Sequence, residues 1–330
     1  MQHPFFSIII PCYNARAYIA RTLDTFERQT FRNFEVICID DCSTDDTYTY
    51  LLKRAEESTV TIQVYKNESN KGPGQSRNVA IAYAKGEYVA FCDSDDWLEE
   101  NALEILYREL ILNNRNTDIL IFNYYTVFVS GKKVPRDITS ILRGCQNKED
   151  LVALAPPSLW CMVIKRELLF RVPIADLYNA EDMVTVPILL SVAGHVECVN
   201  DNLYNYFYRP TSLSKTLNPS VVENFKLAYE YLKANIGGNY RTAFEFHGIN
   251  LIVYGLIYNA IRCKLGIGEI KKGIKVFEDD FPQWYRNRYI KYLPFRKRCW
   301  CYFVRNHFFL ALYLYFEAQL LYFKLHSFSK

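Results

Sequence analysis

The chain has 330 residues, half of them hydrophobic, 23% charged and 16% aromatic, with a formal net charge of +3. That length supports one large domain or two smaller ones, and the charged share is that of a globular protein. The small net charge argues against nucleic-acid binding by the chain as a whole. Ten cysteines are present. Several sit inside apolar runs such as Glu35-Val36-Ile37-Cys38-Ile39, where they read as small buried hydrophobes of a reducing compartment. The N-terminus carries no basic stretch followed by a long apolar core, so a cytoplasmic location is the expectation.

In chain order, short apolar and β-branched runs at 6–10, 35–39, 60–65, 87–92 and 118–122 predict strands. Helical spacing lies between them. Ala15, Tyr18, Ile19, Leu23 and Phe26 follow an i, i+3, i+4 pattern, with Asn14 as the expected N-cap. Ser43-Thr44-Asp45-Asp46 resembles a capping box, ahead of an apolar stripe of Tyr48, Leu51, Leu52 and Ala55. A third helix is expected over 75–85, stopped by Gly86. This alternation predicts βαβ units, hence an α/β fold with a mostly parallel sheet flanked by helices. The strands are apolar throughout, as suits strands covered on both faces.

In such a sheet, ligands bind beyond the carboxyl ends of the strands. The strand ends here read Pro11-Cys12-Tyr13-Asn14, Asp40-Asp41-Cys42-Ser43 and Asp93-Ser94-Asp95-Asp96. Five acidic groups thus gather on one rim, an arrangement that needs a cation or hydrogen-bond donors to neutralise it. An Asp-x-Asp pair suits a hard divalent ion, Mg²⁺ or Mn²⁺, that keeps open positions for phosphate oxygens.

These segments resemble the signatures of the family 2 glycosyltransferases, which have the GT-A fold. Ser7 to Asn14 is similar to that family's opening strand and first loop. Asp40 to Thr47 is similar to its second signature, with Cys42 where glycine is more usual. Asn70-Lys71-Gly72-Pro73-Gly74-Gln75-Ser76-Arg77-Asn78 resembles the glycine-rich turn before an Arg-Asn pair, and Phe91 to Trp97 the metal-binding segment. Ser158-Leu159-Trp160-Cys161 and Ala180-Glu181-Asp182 resemble acceptor-side elements. Tyr206 to Ser214 resembles a loop that closes over the diphosphate. The resemblance covers residues 5–215.

It implies an inverting hexosyltransferase using a nucleotide-sugar donor, with a UDP-linked donor expected, and a saccharide or lipid-linked saccharide acceptor. Pro11, Tyr13, Asn14, Asp40, Asp41 and Ser94 would surround the donor, with Asp41 favoured over Asp40 for accepting from the uracil N–H. Arg77, beginning the exposed side of its helix, would meet the phosphates, a match for a guanidinium, and the Gly-Pro-Gly entrance would bring backbone close to the ligand. Arg209 would pin the diphosphate when its loop closes. Asp95 would hold Mn²⁺ or Mg²⁺ directly, and Asp93 would bind ribose or a metal-bound water. Asp96 would cap a helix over 97–112. Asp182 would be the general base that activates an acceptor hydroxyl, with Glu181 and Trp160 near the acceptor, the indole offering a face to a sugar.

The implied organisation is a transferase domain over 1–215, with a nucleotide-sugar half at 1–100 and an acceptor half at 101–215, followed by a helical region at 216–330. Residues 221–272 read as helical. From Arg286 onward nine Lys or Arg face one acidic residue, Glu317. Residues 308–325 are rich in Leu, Tyr and Phe but interrupted by charge, which predicts an amphipathic segment on an anionic membrane surface, or equally a core-covering or dimerising helix. A peripheral position on the inner face of the cell membrane follows from the first reading; the oligomeric state is left open.

Other classes fit less well. No Gly-x-Gly-x-x-Gly follows the first strand, which counts against a dinucleotide-dependent oxidoreductase. Cys299-x-Cys301 is half a zinc site, and His195 and His247 are isolated. A nucleotidyltransferase shares the acidic metal site, and an inactive sugar-nucleotide-binding protein would be expected to lack Asp93, Asp95 or Asp182.

Overall fold

The structure, a computed structural model, describes residues 3–177, 179–209, 220–316 and 318. The chain forms two compact units, residues 1–215 and 216–330.

The first unit opens with β1 (Phe6–Cys12), α1 (Ile19–Glu27), β2 (Phe34–Asp40), α2 (Thr47–Glu57), β3 (Thr61–Lys66), α3 (Gly72–Tyr83) and β4 (Tyr88–Phe91). It continues with β5 (Trp97–Leu98), α4 (Ala102–Leu112), β6 (Ile119–Phe128), β7 (Lys133–Arg136), α5 (Thr139–Arg143) and α6 (Lys148–Leu154). After a 3₁₀ turn at Leu159–Cys161 come β8 (Met162–Lys165), α7 (Arg166–Arg171), α8 (Glu181–Val192) and β9 (Val196–Tyr208). Among the described residues the sheet has nine strands in the order β3-β2-β1-β4-β8-β6-β9-β5, with β7 on β6. Strands β3, β2, β1 and β4 are parallel. Beyond β4 the pairing is antiparallel except between β6 and β9. All four parallel strands therefore end on one rim, which is where the acidic residues stand.

The core strands are buried because their apolar runs are covered on both faces. Every residue of β2 is buried, Glu35 included. The Glu35 carboxylate accepts from Ser7 Oγ, the Lys85 N–H and Gln63 Nε2, each at 2.7 Å, which satisfies its charge inside the sheet.

Several local expectations are corrected. Helix α1 begins at Ile19, and Asn14 is no N-cap: its φ is +48° and its Oδ1 accepts from Thr44 instead. Helix α2 begins at Thr47, where the Asp45 carboxylate accepts from both the Thr47 N–H and hydroxyl in place of a capping box. Helix α3 starts three residues early, takes in the Gly-Pro-Gly turn and ends at Tyr83. Gly86 does not stop it. A Cβ there would lie 2.5 Å from the Ser7 backbone nitrogen, so Gly86 is required by its contact with β1.

The second unit, described by itself, is helical: α9 (Ser220–Asn235), α10 (Arg241–Gly248), a π-helical stretch (Ile249–Leu256), α11 (Ile257–Arg262), α12 (Ile267–Asp280) and α13 (Phe295–Arg305). Phe225, Tyr229, Phe277 and Trp284 are buried in it. Trp300 of α13 is buried too, and its indole N–H donates to the Val253 carbonyl at 2.7 Å. Phe295, Tyr302, Phe308, Leu310 and Leu314 stand exposed near Arg296, Arg298 and Arg305 in the chain. Among the described residues no helix is long and apolar enough to cross a membrane. Of the amphipathic segment expected over 308–325, residue 317 and residues 319 onward lie outside the described residues, as does the 210–214 part of the expected diphosphate loop.

Candidate active site

The loops after β1 and β2 are joined to each other. Asn14 donates its backbone N–H to Ser43 Oγ at 3.0 Å, and Ala15 donates to Thr47 Oγ1 at 2.8 Å. This leaves Pro11 half-buried and Tyr13 exposed at the rim. Asp40, at the end of β2, has no exposed surface; its Oδ2 accepts from the Ser43 N–H at 3.2 Å, and its Oδ1 is buried with no hydrogen-bond partner. Asp41 accepts from Asn67 Nδ2, the Lys71 N–H and the Gly72 N–H at 2.8–2.9 Å. It thereby fixes the entrance of α3, where Gly72 has φ +81°, a conformation that favours glycine.

Arg77 departs most from expectation. It is buried, at 3% exposure, and not on an open helix face. Its Nη2 donates to Asp93 Oδ1 and its Nη1 to Glu181 Oε1, both at 2.9 Å, and Nη1 also lies 3.5 Å from Asp182 Oδ1. Gly74 faces α8 and not an open ligand pocket. A Cβ there would stand 3.0 Å from the Ala175 carbonyl and 3.4 Å from Glu181 Cγ. Beside Arg77, Asn78 exchanges two hydrogen bonds of 2.9 Å with the backbone of Ile174. Helix α3 thus grips the segment that leads into α8.

The Asp93–Asp96 turn is held from two sides. Thr22 and Arg21 of α1 donate to the backbone carbonyls of Ser94, Asp95 and Asp96. From β9, Tyr204 accepts from the Asp93 N–H at 3.0 Å and donates to Asp96 Oδ2 at 2.8 Å, while the Phe207 N–H donates to Asp96 Oδ1 at 2.7 Å. Asp96 is therefore no helix cap: residues 97–98 form a strand, the helix starts at Ala102, and Asp96 is a buried acceptor that ties β9 to the turn. Asp95 forms an ion pair with Arg209, whose guanidinium lies 4.4 Å from the Tyr18 ring centroid.

Ala180, with φ +67°, stands at the N-cap of α8, placing Glu181 and Asp182 in its first turn. They are not a solvated pair, for Glu181 is buried against Arg77. Asp182 Oδ2 accepts from the Leu159 N–H at 3.4 Å. Trp160 is stacked with Tyr204 and Tyr206, at 4.8 and 5.6 Å between centroids, and meets Tyr124 edge-on. Its ring is thus already engaged by neighbours while remaining half-exposed. Arg21, Thr22 and Tyr204 are site-building residues that the strand-end pattern does not reveal, because they act from α1 and from within β9, whereas Asn67 stands at the carboxyl end of β3 on the same rim. The only sequence trace is their polar or hydroxyl character inside otherwise apolar stripes.

The electrostatics follow from this crowding. Burial raises the Asp182 carboxyl to about 7; Arg77 opposes that rise, while Glu181 and Asp93 add to it. Burial and the neighbouring Asp93 raise Asp95, against the pull of Arg209. For Arg77, burial disfavours the charge, but Asp182, Asp93 and Glu181 together hold its pKa above the usual arginine value.

A divalent ion fits the donor set. Asp93 and Asp95 are hard carboxylates one residue apart, each engaged on one oxygen by an arginine. Among the described residues no cluster of three or more His, Cys, Asp or Glu forms a metal cage.

The sequence model of Glycosyl transferase family 2 matches residues 7–170. The chain is 30% identical over 216 residues to the putative teichuronic acid biosynthesis glycosyltransferase TuaG of Bacillus subtilis, covering 64% of this chain and 82% of TuaG. It is 30% identical over 207 residues to the poly(ribitol-phosphate) beta-N-acetylglucosaminyltransferase TarS of Staphylococcus aureus, covering 61% of this chain but only 35% of TarS. The structure of TarS 1–349 in complex with UDP is similar in fold, with a TM-score of 0.64 and 23% identity over 91% of this chain and 87% of that one. A mannosyltransferase from Pyrobaculum calidifontis, in complex with GDP-Man and Mn²⁺, gives a TM-score of 0.56 at 15% identity, covering 94% and 86%.

Proposed function

We propose, from the premise that this chain belongs to glycosyl transferase family 2 and is a glycosyltransferase, that it moves a sugar from a UDP-linked donor to a saccharide acceptor by a single displacement that inverts the anomeric carbon. The observation that carries this reading is the opposition of three carboxylates across Arg77: Asp93 at the donor-side strand end, and Glu181 and Asp182 at the start of α8.

On this reading residues 1–100 bind the nucleotide sugar and residues 101–215 the acceptor. Pro11, Tyr13 and Asn14 line the nucleoside side together with Asp41, which retains slight exposure where Asp40 has none. Asp93, Ser94 and Arg209 address the ribose and diphosphate. Asp95 and Asp93 would hold Mn²⁺ or Mg²⁺, and such an ion supplies positive charge where the diphosphate departs. Asp182 takes the proton of the acceptor hydroxyl. A carboxylate raised to about 7 is matched to that task near neutral pH. Glu181 and the half-exposed edge of Trp160 flank the acceptor. TuaG and TarS, by name, act in teichuronic acid biosynthesis and on poly(ribitol-phosphate), which supports an envelope polysaccharide or lipid-linked saccharide as acceptor here. The exposed aromatic and basic residues of α13, with Phe308, Leu310 and Leu314 after it, fit a peripheral site on the anionic cytoplasmic face of a membrane.

The test is incubation of the protein with UDP-sugars and saccharide acceptors, with and without Mn²⁺. Release of UDP and an inverted linkage, both lost on chelation, are expected. A retained configuration, or transfer indifferent to chelator, overturns the corresponding part of the reading.

A further inference from the structure

We propose that Arg77 is a positioning residue that locks the acceptor-side base to the donor-side carboxylate, and that it does not itself grip the diphosphate. This deepens the reading above and rests on Asp182 as the base.

A phosphate ligand needs reach into open space. The Arg77 side chain is only 4% exposed, and its two terminal nitrogens are taken by three carboxylates on two other segments. Its Nε is buried without a partner. The same guanidinium spans 16 residues of sequence to Asp93 and 104 to Glu181, so one planar fork fixes the turn after β4 against the start of α8. The surrounding residues serve the same junction. Gly74 allows α3 to approach Glu181, and Asn78 pins Ile174 upstream of α8. A lysine keeps the charge but offers no planar fork to hold two carboxylates at fixed geometry.

The groups facing Asp182 are Arg77 from α3, Glu181 from its own helix, Asp93 from the turn after β4, and the Leu159 N–H and Cys161 thiol from the 3₁₀ turn. Arg77 favours the ionised base, and Glu181 and Asp93 disfavour it. Loosening Arg77 therefore raises the pH at which Asp182 loses its proton, and neutralising Glu181 lowers it.

The experiment compares the full chain with Arg77→Lys and Glu181→Gln, reading UDP affinity by calorimetry, kcat against pH, and the Asp182 carboxyl by ¹³C NMR titration. For Arg77→Lys, UDP affinity should stay within about threefold, kcat should fall about 100-fold, and the ascending pH limb should move up. For Glu181→Gln the limb and the NMR midpoint should move down. UDP binding weakened about tenfold or more with an unmoved limb makes Arg77 a diphosphate ligand and overturns the proposal. Should Arg77→Lys fail to fold, Glu181→Gln carries the test by removing one carboxylate that Nη1 holds, and an unchanged kcat there overturns the proposal. The NMR titration needs no donor, so a failure of the proposed UDP-sugar transfer shows separately, as does an Asp182→Asn variant that keeps transferring sugar.

Discussion

Arg209 forms an ion pair with Asp95, the carboxylate proposed to hold the divalent ion. The guanidinium also lies over the ring of Tyr18, so it is held between that carboxylate and the residue that precedes α1. A cation arriving at Asp95 competes with this arginine for the same oxygen. Arg209→Ala should therefore bind Mn²⁺ more tightly in the absence of nucleotide, measured by calorimetry. Its kcat should fall about 10- to 100-fold, as follows from the proposed role of Arg209 as a positive partner for the leaving diphosphate. Unchanged Mn²⁺ affinity would show that the pair does not guard the site.

Asp182 sets a second expectation, in which activity and stability move apart. Its folded-state carboxyl is raised to about 7 by burial, above an unfolded value of about 3.9. A raised group contributes stability below its unfolded value and loses it as the pH climbs through the folded one. Asp182→Asn removes that loss. The variant should lose transfer by about 10²- to 10⁴-fold and yet show a Tm at pH 8 no lower than the parent's. A marked drop in Tm at pH 8 would mean the charge is needed to hold Arg77.

The glycine at 74 acts through distance. An alanine there would bring its Cβ to 3.0 Å from the Ala175 carbonyl and 3.4 Å from Glu181 Cγ, forcing α3 and α8 apart by a few tenths of an ångström. Gly74→Ala should cost about 1–3 kcal/mol in denaturant unfolding and reduce kcat more than it raises KM for donor. A selective rise in donor KM would instead place Gly74 against the ligand.

Cys42 is the reverse case. It stands where glycine is more usual in the family's signature, and its φ of +61° lies in the left-handed region. Cys42→Gly should relieve about 1 kcal/mol of backbone cost, offset in part by the entropy of glycine in the unfolded chain. A small rise in Tm with unchanged activity is the expected outcome, and a fall would show that the thiol's contact near the Glu68 carbonyl, at 3.7 Å, matters more.

The C-terminal surface is tested without disturbing the core. Removing everything after 280 would take away Trp300, whose N–H is bound to Val253, so truncation confuses folding with docking. Leu310 and Leu314 are 66% and 64% exposed. Changing both to glutamate should weaken sedimentation with phosphatidylglycerol vesicles while leaving Tm intact, and raised salt should weaken the parent's binding likewise. Equal vesicle binding by parent and variant would remove the membrane reading.

The alternation of short apolar runs with helical spacing is local, carried by residues within a turn or a strand of one another. It was enough to place β1, β2 and β4 to within a residue or two and to put Asp40, Asp41, Asp93 and Asp95 on one rim. Its helix boundaries were weaker at Asn14 and Gly86, because the partners that decide them, Thr44 and Ser7, come from other segments. What only the tertiary structure decided are the roles fixed by partners distant in the chain. Arg77 read as an exposed phosphate binder until its carboxylate partners came 104 and 105 residues later. Asp96 read as a cap until Tyr204, 108 residues away, was found donating to it. A sequence pattern reports which face of an element is apolar, and so which residues will be inside. Which buried charge meets which depends on how elements pack, and packing joins positions that no local periodicity relates.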